Sequence, residues 1–298
     1  MMKSVTYYNK TRIIISTICL SCAILLVILL FPKSTEPLYT PFEGNPHDEE
    51  IMTRLNQEKV RMDNEQMVRI IREHFIEPPS TRPYQLDNPE KLDFSSGQAP
   101  FVDNRLGFME GGFYIECGAL NGERRSNTLF FERHRKWNGV LIEADPSNYA
   151  KLKRKHRKAF TMNACLNPYP YPAKLKFNKA SNMGRVVHDL SVQNWLKQWK
   201  LQENMIEVQC FPLYSILLSL NQTTVDFFSL DVEGDELRVL KTIPFDKVNI
   251  KMVTVEYINQ PGSVGDLNEF MVEKGYEPLI KMHKDDGTVT DVIYRKKS

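Results

Sequence analysis

Apolar and polar positions change rhythm several times along the chain. The first pattern is unbroken: Ile13–Phe31, IIISTICLSCAILLVILLF, carries no charge. As a helix it is long enough to cross about 30 Å of hydrocarbon. Lys3, Lys10 and Arg12 precede this run, whereas Glu36, Glu43, Asp48, Glu49 and Glu50 follow it. Because basic flanks stay in the cytosol, the pattern predicts a cytosolic tail over residues 1–12, a transmembrane signal anchor over 13–31, and the rest of the chain on the other side. A cleaved signal peptide is the alternative. Against it, the run exceeds the roughly 7–15 apolar residues of such peptides, and no small-residue cleavage site follows Pro32.

Pro32, Pro37, Pro41 and Pro46 then interrupt any helix at short intervals, giving an extended stem over 32–62, within which Ile51, Met52, Leu55 and Met62 take near-helical spacing. Residues 63–110 are expected to pack on the domain. A helix capped by Asn64 buries Met67, Ile70, Ile71 and Phe75 and stops at Pro78–Pro79. Pro83, Pro89, Gly97 and Pro100 follow with little periodicity, so 80–110 reads as a loop.

From residue 111 to 298 strands and helices alternate. Strands are predicted at 113–115, 139–143, 160–164, 225–231 and 252–257, with helices at 126–134, 146–155 and 233–241 between several of them. Apolar strands separated by helices make a parallel sheet covered on both faces. The end departs from this rule: a helix over 266–274 leads to strands at 276–280 and 290–294, joined through Asp286–Gly287 as an antiparallel hairpin. The fold class is therefore α/β, a doubly wound and mainly parallel sheet ending in an antiparallel hairpin.

A formal net charge of +2 gives no basic field for nucleic acid. Cys19 and Cys22 fall in the apolar run, leaving Cys117, Cys165 and Cys210. Three is an odd number, so at most one disulfide forms within the domain: Cys165 with Cys210, or none, with all three buried as thiols.

The segment YIECGALNGE, Tyr114–Glu123, carries the densest chemistry. It is a strand followed by a glycine turn, and the next strand closes on Glu143 in IEADP, about 20 residues on. That spacing lets a carboxylate accept hydrogen bonds from ribose hydroxyls beside the turn. This pattern resembles the class I methyltransferases. ECGALNGE, IEADP, Asn163–Cys165 and LDVEGDE at Leu230–Glu236 are similar, within that class, to the FkbM methyltransferase family. The resemblance implies S-adenosylmethionine as cofactor, with Glu116, Gly118, Ala119, Asn121 and Gly122 at its methionine end, Glu143 at the ribose, Asn163 and Ala164 at the adenine, and Asp231 facing the methyl. SNTLFFE at 126–132, VQCFPLYSIL at 208–217 and SLDVEGDELRVLKTIPFDKV at 229–248 are similar to the Star-like membrane proteins of insects and other arthropods. One position departs: Asn121 stands where Star-like sequences are expected to carry Asp, which removes a negative charge near the cofactor.

Methyl transfer to oxygen needs a base to take the hydroxyl proton, and Asp231 and Glu233 are the candidates. Both can instead serve only the start of the following helix. His188 is a lone histidine, expected to be packed or exposed. Cysteines and histidines show no metal-ligand spacing. The basic run Lys151–Lys158 is read as a solvated helix terminus rather than a ligand patch, and Asn221–Gln222–Thr223 is a glycosylation sequon. Two functions follow from the resemblances. One is an escort of epidermal-growth-factor-receptor ligand precursors or other secretory cargo through endoplasmic reticulum, Golgi and endosome, reaching the plasma membrane. The other is an S-adenosylmethionine-dependent O-methyltransferase acting on a sugar or other hydroxyl.

Overall fold

The computed structural model describes residues 46–180, 183–188, 204–257 and 263–297. The predicted span at Ile13–Phe31 lies outside them; among the described residues no helix is long and apolar enough to cross a membrane. The apolar runs become one eight-stranded sheet. Its parallel centre holds β2 (Phe113–Cys117), β3 (Asn138–Ile142), β4 (Phe160–Met162), β9 (Thr224–Leu230) and β10 (Asn249–Glu256). β1 (Ile76–Glu77), β11 (Tyr276–His283) and β12 (Val289–Lys296) join antiparallel, giving the order β1-β4-β3-β2-β9-β10-β12-β11. The expected hairpin forms, and its second strand inserts beside β10, where Val292 pairs with Val255 and Tyr294 with Val253. From β2 the chain winds outward to β3, and from β9 it winds the other way to β10. The carboxyl ends of β2 and β9 therefore border the crevice where such sheets take ligands.

Helices α1 (Pro46–Gln57), α2 (Glu65–Ile70), α3 (Gln98–Arg105), α4 (Leu129–His134), α5 (Pro146–Arg154), α6 (Leu213–Ser219), α7 (Glu236–Thr242) and α8 (Val264–Glu273) flank the strands. Asn64 caps α2 by accepting from the Met67 amide, and a π-helical turn over Ile71–Phe75 continues that helix, as the sequence predicts apart from the π geometry. Two expectations change. The second half of the stem packs on the domain, because Met52 and Leu55 of α1 are buried in its main core. The loop at 80–110 contains α3, which tolerates Pro100 in its first turn and buries Ala99 and Val102. The irregular middle is a second sheet of β5 (Cys165–Leu166), β6 (Ala173–Asn178), β7 (Arg185–Val186) and β8 (Met205–Phe211), ordered β5-β8-β6-β7. Cys165 and Cys210 are register partners there and form the disulfide, while Cys117 stays a buried thiol.

The basic run is a solvated terminus only in part: Lys151, Lys153 and Arg154 are exposed, but the residues just past the helix turn inward. Lys155 pairs with Asp87 at 2.6 Å and Glu123 at 2.7 Å, Lys153 pairs with Glu77, and Arg157 is fully buried. Arg157 donates to Glu132 at 3.0 Å, to the Gly122 carbonyl, to Ser126 Oγ, Tyr114 OH and Thr128 Oγ1 at 3.3 Å each. Burial works against its charge, but the fields of Glu132, Tyr114 and Glu116 outweigh that and hold its pKa above the ordinary arginine value. Removing the guanidinium strands Glu132 and several oxygens in the interior. Arg157→Met is therefore expected to lower the unfolding free energy by about 3–5 kcal/mol, measured by urea denaturation; a loss of under about 1 kcal/mol would show that the network does not hold this part of the fold.

Candidate cofactor site

The crevice is shaped by backbone before side chains. Gly118 follows β2 with φ +80°, and a Cβ there would lie 2.2 Å from the Asp231 carbonyl, so only glycine lets the ends of β2 and β9 meet. Asp231 returns the contact, its amide donating to the Cys117 carbonyl at 3.2 Å. Asn121 caps the turn by accepting from the Glu123 and Arg124 amides. Glu116 lies beneath: its carboxylate accepts from Ser126 Oγ and the Asn127 amide at 2.8 Å and from Thr128 Oγ1 at 2.5 Å. Burial raises its pKa, and Arg157 opposes the rise.

A cavity opens above this turn. Gly118, Glu143, Ala164, Asp231 and Glu233 line it together with Arg124, Arg125 and Asp235, and Cys165, Phe177 and Val186 of the second sheet wall it. Among the proposed cofactor residues, Glu116, Ala119, Asn121, Gly122 and Asn163 stand outside that lining. Ala119 packs in the second core cluster, and Gly122 fits against Leu152. Asn163 donates to the Glu143 carbonyl at 2.8 Å and so fixes the end of β3. The glycine motif thus builds the floor, and fewer of its side chains than expected face the ligand space.

Glu143 is held with its carboxylate ready. Oε2 accepts from the Leu120 amide at 2.7 Å and Oε1 from the Asp145 amide at 2.8 Å, so each oxygen keeps a lone pair for a hydroxyl. Burial pushes its pKa up to about 8 against the two amide bonds. At the other end, one oxygen each of Asp231, Glu233 and Glu256 lie within 4.8 Å of one another. Burial and then the Glu256 and Glu233 charges hold Asp231 well above the carboxylate range, and burial with Glu233 also raises Glu256. Glu256 Oε2 is buried without a hydrogen bond. This crowding favours a bound proton or cation. Cysteine and histidine spacing could not reveal it, because the residue after β9, the turn that follows and the end of β10 each supply one carboxylate. Glu236 Oε1 accepts from the Val232 and Gly234 amides and holds the turn, so Asp231 and Glu233 stand before α7 and not at its cap, where Asp235 sits.

His188 is exposed, one of the two placements expected of it, but it has a partner. Its Nε2 lies 2.5 Å from Asp235 Oδ2, at the rim of the cavity that Asp235 lines, and the Tyr169 ring stands edge-on to it. A lone His in GRVVHDL gave no hint of this pairing, since its partner is far along the chain.

The mixed sheet with its switch-point crevice is the Rossmann-like fold of a class I methyltransferase-like domain, and the crevice holds a hydroxyl-accepting carboxylate at one strand end and an acidic cluster at another. The methyltransferase FkbM domain family matches residues 116–278, over half of the chain, and this chain belongs to that family. Among solved structures it is similar to the FkbM methyltransferase of Methylobacillus flagellatus KT, at 14% identity and TM-score 0.42 over 84% of this chain and 59% of that one. A putative O-methyltransferase of Klebsiella pneumoniae matches at 10% identity and TM-score 0.38, covering 92% of this chain and 97% of that one. The 1,6-didemethyltoxoflavin-N1-methyltransferase of Burkholderia thailandensis, solved with 1,6-didemethyltoxoflavin and S-adenosylhomocysteine, matches at 10% identity and TM-score 0.37, covering 90% and 98%. No curated protein matches the chain.

The raised carboxylates set a pH dependence. Glu143 holds its proton to about pH 8 when folded but has an ordinary value of 4.5, so between those values the folded state binds more protons and stability falls as pH rises. His134, lowered by burial from 6.5, acts with the opposite sign below that value, which leaves 6.5 to 8 as the informative window. Without ligand, the unfolding free energy is expected to drop across that window. Glu143→Gln should flatten the slope by at most about 1.4 kcal/mol per pH unit; equal slopes in both proteins, followed by chemical denaturation, would contradict the assignment.

Proposed function

We propose that this chain is a type II membrane protein of the secretory pathway whose lumenal FkbM domain binds S-adenosylmethionine and escorts epidermal-growth-factor-receptor ligand precursors through endoplasmic reticulum, Golgi and endosome, in the manner of Star-like proteins. The observation that carries the lumenal part is the Cys165–Cys210 disulfide in the sheet that walls the cavity, a bond characteristic of oxidising compartments. The uncharged run at Ile13–Phe31 supports the anchor, and Asn221, exposed in the turn after α6, supports glycan access. The cofactor's ribose hydroxyls suit Glu143, and its positive charge suits the cluster of Asp231, Glu233 and Glu256.

The acidic cavity with His188 at its rim favours a second reading, methyl transfer to the hydroxyl of a sugar or similar acceptor. Bound there, S-adenosylmethionine would supply an electrophilic methyl. The chain must align the acceptor and take its proton. Burial and the neighbouring carboxylates raise Asp231 and weaken it as a base until a cation offsets them, whereas His188, paired through Nε2 with Asp235, is a second candidate for the same work.

Export of a ligand precursor separates the readings. In cells lacking the protein, wild type and Asp231→Asn at equal abundance are expected to restore export equally, since Asn keeps the shape and most hydrogen bonds. Loss of export by the folded variant, with methyl transfer by the wild type, would make the enzyme the leading account. Digestion of the domain by protease added to intact microsomes would contradict the lumenal placement.

A further inference from the structure

The turn from Asn121 to Ser126 spends most of its polar side chains on its own anchoring. Asn121 accepts from two amides of the turn. Glu123 turns inward, accepting from the Asp87 and Asn88 amides at 2.7 Å each and pairing with Lys155. Ser126 donates to Glu116, and the Gly122 carbonyl is held by Arg157 from below. Arg124 and Arg125 are the exception. Both are exposed, both line the cofactor cavity, and neither guanidinium forms an ion pair or hydrogen bond among the described residues.

The backbone points to a fixed presentation. Arg125 adopts φ +59°, a left-handed conformation that a side chain bearing a Cβ rarely takes and that persists only where its surroundings enforce it. Here the flanking anchors at Glu123 and Ser126 enforce it. Two adjacent guanidiniums therefore rise from a rigid base without carboxylate partners, while the carboxylates of the same cavity gather elsewhere, at Asp231 and Glu233 with Glu256 beside them. The cavity is dipolar, with cations on the turn after β2 and acids at the ends of β9 and β10. A ligand carrying an ammonium and a carboxylate on one carbon matches both ends.

We infer that Arg124 and Arg125 bind the α-carboxylate of the cofactor's amino-acid end, while Asp231, Glu233 and Glu256 face its positive charges. The planar guanidinium fork suits a carboxylate in two-point contact. The inference rests on the reading that this cavity takes S-adenosylmethionine, and it moves recognition of the methionine end from Glu116, Ala119 and Gly122 to two residues beyond them. It also gives the pair a selective role: the nucleoside portion is held by Glu143, and the arginines distinguish the full amino-acid form from a truncated nucleoside.

The test titrates the purified full chain in detergent with S-adenosylhomocysteine and with 5′-methylthioadenosine, which keeps the adenosine and thioether but lacks the amino-acid end. The wild type is expected to prefer S-adenosylhomocysteine by about tenfold or more. Arg124→Ala/Arg125→Ala should erase that preference, weakening S-adenosylhomocysteine by about the same factor and leaving 5′-methylthioadenosine within about twofold. Arg124→Lys/Arg125→Lys, which keeps the charge and loses the fork, should retain part of it. Undiminished preference in the alanine variant, or equal weakening of both ligands at unchanged melting temperature, overturns the inference. If the wild type binds both ligands equally, the arginines have no such role although the cavity binds nucleoside. If it binds neither, the cofactor reading itself fails and the inference with it.

Discussion

The buried guanidinium of Arg157 organises the region beneath the cavity. Arg157 reaches β2 through Tyr114, the glycine turn through the Gly122 carbonyl and Ser126, and α4 through Glu132. Interior charge is costly unless every partner is in place, so these groups have one low-energy arrangement and not several. The arrangement fixes the turn from beneath. Lys155 and Glu123 do the same from the side, tying the turn to the segment around Asp87 and Asn88. The glycine turn is thus a tensioned element, with φ positive at Gly118, Leu120, Gly122 and Arg125.

Above this base the balance reverses. Beneath the turn, opposite charges are matched and satisfied; in the cavity, like charges crowd without full compensation. Asp231, Glu233 and Glu256 converge and Glu143 is buried beside two amides, so the ligand-free site favours protonation. A positively charged ligand in that cavity would offset this crowding, the usual trade between a rigid scaffold and a poised site. The disulfide of the second sheet adds a covalent restraint to the opposite wall.

Much of this was legible in the chain. The parallel core, the hairpin and the Asn64 cap follow from periodicity and capping residues, because those signals are local. The place of Glu143 at the cavity was legible because its spacing from the glycine turn is a local signature too. What escaped has a common physical origin. Lys155 and Arg157 looked like a solvated run because their acidic partners at positions 87, 123 and 132 come from other elements. Glu256, Asp235 with His188, and the Arg124–Arg125 pair acquire meaning only when β9, β10 and the second sheet meet. Glu116 illustrates the converse, since a residue in the right motif position is consumed by the scaffold, bonded to Ser126, Asn127 and Thr128. The π-helical turn and α3 were missed because tertiary packing overrode weak or Pro-bearing local patterns.

Buried charge holds the turn that forms the floor of the cavity. Arg157→Lys tests it directly, since lysine keeps the charge but cannot make the same set of bonds. Native-state hydrogen exchange, followed amide by amide, should show protection lost selectively from Gly122 to Leu129 while β9 and β10 stay protected. Unchanged exchange in that turn, or a uniform loss across the whole sheet, would contradict the account.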